Sequence, residues 1–108
     1  MKKYEIVLSR FQHWLRTDPH AGGKACSSTE CPVANFIQHE RRYDRIHVGK
    51  MFWTLKGDDP ERGELPDWAT NFIRLVDAMP SGEVAPGVCL ALLNRALRRT
   101  TEQRRGKS

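Results

Sequence analysis

One ten-residue stretch, Arg45-Ile46-His47-Val48-Gly49-Lys50-Met51-Phe52-Trp53-Thr54, constrains the fold more than any other. A two-residue Gly49-Lys50 turn with glycine first is the requirement of a type II′ hairpin, whose first central position needs a positive φ. That turn pairs Val48 with Met51, His47 with Phe52, Ile46 with Trp53 and Arg45 with Thr54. Side chains alternate faces along a strand. One face then carries Ile46, Val48, Met51 and Trp53, all apolar, and the other carries Arg45, His47, Phe52 and Thr54. The first is a core face and the second faces outward.

An isolated hairpin is marginal in water, so helices must cover the apolar face. Tyr4, Val7, Leu8, Phe11, Trp14 and Leu15 recur at helical spacing, predicting a helix over residues 3–16 that stops at Asp18-Pro19. A loop through Gly22-Gly23 follows, its glycines supplying flexibility. A second helix starts near Ser28 or Thr29, either of which can cap its free N–H groups, with Pro32 in the first turn and Val33, Ala34, Phe36 and Ile37 as its buried stripe. Residues 56–64 read as a polar loop. Pro66 opens a third helix, whose stripe is Trp68, Ala69, Phe72, Ile73, Leu75 and Val76. Residues 88–97, started by Pro86, are mostly apolar and predict a largely buried fourth helix, with a strand at 88–92 as the rival reading. Residues 98–108 contain no apolar side chain and predict a flexible basic tail. The expected fold is a small single α+β domain, residues 1–97. Its order is α-α-β-β-α-α, with a two-stranded antiparallel hairpin covered by helices, the second and third above all.

The chain has 108 residues, 39% hydrophobic and 29% charged, which suits one soluble domain with a modest core. No apolar run approaches the ~20 residues of a membrane span, and polar residues interrupt the N-terminal apolar stretch, so the expectation is a cytoplasmic protein with no membrane partner. The net charge of +5 is unevenly placed: residues 1–56 carry +5, residues 57–83 carry −5 and residues 84–108 carry +5. An acidic centre between basic ends is unlike a uniform nucleic-acid footprint. Three cysteines exclude a complete set of intramolecular disulfides; Cys26 and Cys31 can pair, but free thiols are expected in a reducing compartment.

The chemistry-bearing residues carry no enzyme signature. Cys31 at a helix start can be activated by the helix dipole, but His39 is too far along the same helix to act as its base, and His20 or His47 would have to fold against it. Cys26, Cys31, His20 and His39 include zinc donors without a finger-type spacing. Asp58, Asp59, Glu61, Glu64 and Asp67 lack calcium-loop spacing and read as a solvated acidic loop. No catalytic residue, metal ligand or cofactor is assigned. The expected binding surface is Arg41, Arg42, Arg45, His47, Lys50, Phe52 and Lys56, a basic cluster around an outward aromatic on the hairpin. An aromatic flanked by arginine is a common protein-interface anchor. The same face can also contact phosphates and stack a base.

The stretch Cys31-Pro32-Val33-Ala34, the strand Ile46-His47-Val48, and then Leu65-Pro66, Phe72-Ile73 and Asp77 resemble a group of small uncharacterised proteins from phages and mobile elements. Their pattern is C-P-aliphatic-A, a short strand pair, then L-P … F-I … D. The resemblance covers residues 31–77. It ends where the family's aromatic P-F-x-F is replaced by Ala85-Pro86-Gly87-Val88-Cys89-Leu90. It implies an accessory protein that acts by binding a host macromolecule, one version being an inhibitor of a host defence complex. The resulting expectation is a non-enzymatic protein that engages a host protein or complex. The alternative is a basic nucleic-acid-binding module using the hairpin face and the C-terminal tail. The sequence sets no oligomeric state.

Overall fold

The structure is a computed structural model that describes residues 4–42, 46–49, 51–55, 61–80 and 82–106. It is a small α+β domain of four helices and two antiparallel sheets: α1 (Leu8–Thr17), β1 (Gly23–Ala25), α2 (Pro32–Arg41), β2 (Ile46–Val48), β3 (Phe52–Leu55), β4 (Glu61–Glu64), α3 (Asp67–Asp77), β5 (Gly82–Val84) and α4 (Pro86–Gly106).

The core is aromatic and helical. Phe11 of α1 is its hub, with ring centroids 5.2 Å from Phe36, 5.3 Å from Phe72 and 5.6 Å from Trp68. These residues come from the apolar stripes of three helices, each repeating at helical spacing. α3 and α4 form the most extensive helix pair, and α1 leans on α4. Cys89, Leu92, Leu93, Ala96 and Thr100 point α4 inward.

Two helix starts differ from the sequence reading. α1 begins at Leu8, because residues ahead of it run extended and Tyr4 is drawn across to Trp53, at 5.6 Å and edge-on. α2 is capped by neither Ser28 nor Thr29. Its N-cap is Cys31, whose Sγ accepts from Ala34 N–H at 3.4 Å, with Pro32 at the first helical position. The Ser27 hydroxyl accepts from Glu30 N–H one turn earlier, so the local polar groups build a turn before the helix.

The hairpin keeps its faces but shifts its register by two residues. Val48 pairs with Trp53, His47 with Thr54 and Ile46 with Leu55. The turn therefore moves one residue along the chain, closed by Gly49 N–H donating to Phe52 C=O at 2.8 Å instead of by Val48 and Met51, and Gly49 has no left-handed φ. A two-residue shift preserves parity. Ile46, Val48 and Trp53 stay buried, whereas Met51 leaves the core face for the turn and is 64% exposed. α2 packs on β2.

A third strand completes this sheet in a segment that reads as a polar loop. β4 pairs with β3, Trp53 opposite Gly63 and Phe52 opposite Glu64. Gly63 makes it possible: a Cβ there would lie 2.3 Å from Trp53 Nε1, so only glycine lets the indole lie against the strand. The order around the sheets is thus α-β-α-β-β-β-α-β-α rather than α-α-β-β-α-α.

The second sheet, β1 with β5, staples the chain after α1 to the start of α4, with Gly23 opposite Val84. Gly22, at φ +106°, passes so near the Val84 carbonyl that a Cβ would sit 2.5 Å from it. Its role is close backbone approach, not looseness. Residues 86–97 are helical, and the helix continues through Gly106 across residues expected to fray. Thr100 explains part of this: it is buried and accepts from Asn71 Nδ2 at 2.9 Å, while Gln103 Oε1 accepts from the same amide at 3.0 Å.

Candidate binding surface

Strand alternation sorts the expected surface into two groups. His47, Phe52, Thr54, Arg62 and Glu64 share the outward face of the three-stranded sheet, since the register sets His47 beside Thr54, Thr54 beside Arg62 and Phe52 beside Glu64. Glu61 shares the opposite face with Trp53. It accepts from Arg41 Nη2 at 2.7 Å, and the Arg41 guanidinium stands 5.3 Å from the Tyr4 ring. Arg41 therefore belongs to a half-buried network behind the sheet that also holds Tyr4 Oη donating to Glu40 at 2.5 Å. Burial, and then this bond to Glu40, push the Tyr4 hydroxyl well above the usual phenol range. Arg42 ends α2 in a left-handed conformation (φ 58°) and is exposed. Arg45, Lys50 and Lys56 lie outside the described residues.

Phe52 is half-buried on the outward face, and its cover is a charge rather than a helix. The Arg62 guanidinium carbon stands 3.9 Å over the ring, a close cation–π stack. Met51 is the neighbouring apolar residue. Both line a groove of about 610 Å³ between the sheet, α3 and the far end of α4. Glu64 and Asp67 supply its acids, Arg74 and Arg104 its bases, and the buried Asn71 amide belongs to its wall.

Arg62, Met51, Arg74 and Arg104 are missing from the sequence-derived surface. Arg62 becomes visible only once β4 is recognised as a strand, and nothing in Glu61-Arg62-Gly63-Glu64 carries an apolar alternation. Met51 had an apolar signal, but a tight turn assigned it to the core.

The cysteines and histidines do not converge. Cys26 and Cys31 line one pocket of about 290 Å³, His20 faces a cleft beside Gly22, and His39 sits between α1 and α2, its Nδ1 3.9 Å from Asp18 Oδ2. Among the described residues no group of three or more His, Cys, Asp or Glu side chains is arranged to hold a metal ion. At Cys31 burial outweighs the helix N–H groups: the thiol is pushed up, away from a reactive thiolate. Cys26 is exposed and held at φ 60° by Asp77, whose carboxylate accepts from Cys26 N–H and whose carbonyl accepts from the thiol. No helix among the described residues is long and apolar enough to cross a membrane.

Comparison with protein-family models, with curated proteins and with solved structures gives no match.

Proposed function

We propose that this chain is a non-enzymatic binding protein that seats a segment of a protein partner in the groove beside Phe52. The observation that carries the reading is Met51, 64% exposed beside the Arg62-stacked Phe52 at the edge of that groove. An apolar anchor beside an arginine–aromatic pair, rimmed by charges of both signs, is the make-up of a protein-interface hot spot. Glu64 and Asp67 in the same groove repel a phosphate backbone, and Arg41 is already engaged by Glu61, which weakens the nucleic-acid reading of this face. A host protein or complex is the partner this favours, in line with the resemblance to mobile-element proteins; inhibition of a host defence complex is its most specific form.

The test is a pull-down from bacterial extract with the full chain, with and without nuclease, comparing the native protein with Met51→Asp. A protein captured in both conditions by the native chain and lost with Met51→Asp is the expected result. Loss of the captured protein on nuclease treatment, or its retention by Met51→Asp, rejects the reading.

A further inference from the structure

A second charged surface, of one sign, lies elsewhere, on the outer side of α4. The helix carries five arginines against one glutamate. At ~100° per residue, Arg98 falls opposite the buried stripe of Cys89, Leu92, Leu93, Ala96 and Thr100, with Arg95 about 115° and Arg99 about 75° from the stripe's centre on one flank, and all three are exposed. Arg105 continues the same exposed face two turns on. Among the described residues, Arg95, Arg98 and Arg99 form no ion pair. Glu102 is the lone acid between them and Arg105, and no ion pair joins it to the three.

Helix stability accounts for only part of this. Arg104 and Arg105 stand in the last turn, where cations offset the negative helix end. Arg95, Arg98 and Arg99 are too far from that end to share the effect, which fades within the last turn.

The chemistry of the face narrows its occupant. Its exposed positions from Asn94 to Arg105 include no large apolar residue, so it offers neither the desolvated anchor a protein interface needs nor the apolar face an interfacial membrane helix needs. What it offers is planar guanidinium forks suited to phosphate oxygens. From Arg95 to Arg105 the helix advances ~15 Å, which on a duplex spans about four phosphates of one strand at ~3.4 Å each. Asn71 bonds to Thr100 and Gln103 on the inner side of this stretch, so the backbone that carries the arginines is already helical and needs no ordering on binding.

We infer that the outer face of α4 is a sequence-indifferent binding surface for the phosphate backbone of double-stranded nucleic acid, with Arg95, Arg98 and Arg99 as its principal contacts. This is a second surface, separate in composition from the groove beside Phe52. It relocates the phosphate chemistry expected of the hairpin face and of a flexible tail to an ordered helix.

The experiment measures binding of the full chain to a short fluorescent DNA duplex of arbitrary sequence, by anisotropy, from about 50 to about 200 mM salt. The native chain is compared with R95Q/R98Q/R99Q, with the control R10Q/R16Q/K24Q of equal charge loss, and with Met51→Asp. Circular dichroism confirms that each is folded. The native chain is expected to bind with a log–log salt slope near −3 to −4, and the α4 variant to lose at least about ten-fold in affinity with a slope shallower by about 2.7. The control and Met51→Asp should keep the native slope. No duplex binding at the lowest salt, or an equal loss in the control, overturns the inference. Vesicles of phosphatidylglycerol and phosphatidylcholine serve as the rival polyanion, and arginine-dependent binding to them matching that to DNA also overturns it. Should the α4 variant fail to fold, Arg98→Gln alone decides, with an expected slope change of about 0.9.

Discussion

The two exposed surfaces of this molecule are built in opposite ways. The outward face of the β2-β3-β4 sheet mixes an exposed methionine, an arginine-stacked phenylalanine and charges of both signs on short strands. From Asn94 to Arg105 the outer face of α4 presents arginines with no exposed large apolar residue among them. The first depends on strand register and on one close contact, Trp53 against Gly63. The second depends only on helical periodicity over a buried stripe. A surface resting on register is easily lost, and one resting on periodicity is not.

The largest effect should come from Trp53, the anchor of the sheet. Trp53→Ala removes a side chain only 1% exposed and is expected to cost about 3–5 kcal/mol in chemical denaturation. It should abolish partner capture while leaving duplex binding by α4 intact at temperatures where the protein stays folded. If both activities fall together under those conditions, the two surfaces are one cooperative unit and the contrast between them fails.

Gly63→Val probes the same joint from the other side. Its Cβ would meet the indole at 2.3 Å, so strand or ring must move, at a cost of about 1–3 kcal/mol. In the double variant with Trp53→Ala the clash has nothing to strike, and the two costs should be clearly less than additive. Additive costs would mean that Gly63 is needed for another reason.

This joint also marks what was legible in the sequence. The parity of the hairpin was readable, because Ile46, Val48 and Trp53 alternate and any even shift keeps them inside. Its register was not, since a two-residue turn closed by Val48 and Met51 and one closed by Gly49 and Phe52 fit the same alternation. β4 was invisible: Glu61-Arg62-Gly63-Glu64 becomes a strand only through backbone pairing and the space above Gly63, neither of which leaves an apolar pattern. β1 and β5, at three residues each, were hidden likewise. The helical layer was plain in Phe11, Phe36, Phe72 and Val76, whose spacing is the packing itself. Past Leu97 the apolar pattern stops, yet the helix does not, because Asn71 reaches across from α3 to Thr100 and Gln103. Of the expected surface, alternation along the strands puts Phe52 and His47 on the outward face of the sheet. Arg41 lies behind the sheet, drawn there by its ion pair to Glu61 of β4, a strand with no apolar pattern to announce it.

The inner side of α4 gives the next prediction, read through thiol chemistry. Burial raises the Cys89 thiol to about 11, so at pH 8 almost none of it is the reactive thiolate. Labelling of Cys89 should be slow and should rise about ten-fold per pH unit until about pH 11, whereas exposed Cys26 labels readily near neutrality. Mass spectrometry of a timed reaction separates the sites. Equal labelling of Cys26 and Cys89 at pH 8 would show that the base of α4 is not packed as described. Asn71→Ala should cost about 1–3 kcal/mol by leaving Thr100 and Gln103 without their donor, and amide exchange should quicken in the last turns of α4. Unchanged exchange there would mean that the helix end holds itself.

The smallest stability effect belongs to Phe52. It is half-buried and covered by an exposed guanidinium, so Phe52→Ala is expected to cost about 1 kcal/mol or less in denaturation while still weakening partner capture. A cost rivalling that of Trp53→Ala would exchange the two faces of the sheet.

Whether the groove beside Phe52 seats a protein can be read directly by site-specific photo-crosslinking in nuclease-treated bacterial extract. A photoreactive phenylalanine analogue replaces Met51 in one version of the full chain and Arg16, exposed on α1, in another. A discrete crosslinked protein is expected from position 51, absent from position 16 and suppressed by excess unmodified chain but not by excess Met51→Asp. No crosslink from position 51, or the same products from both positions, would contradict it.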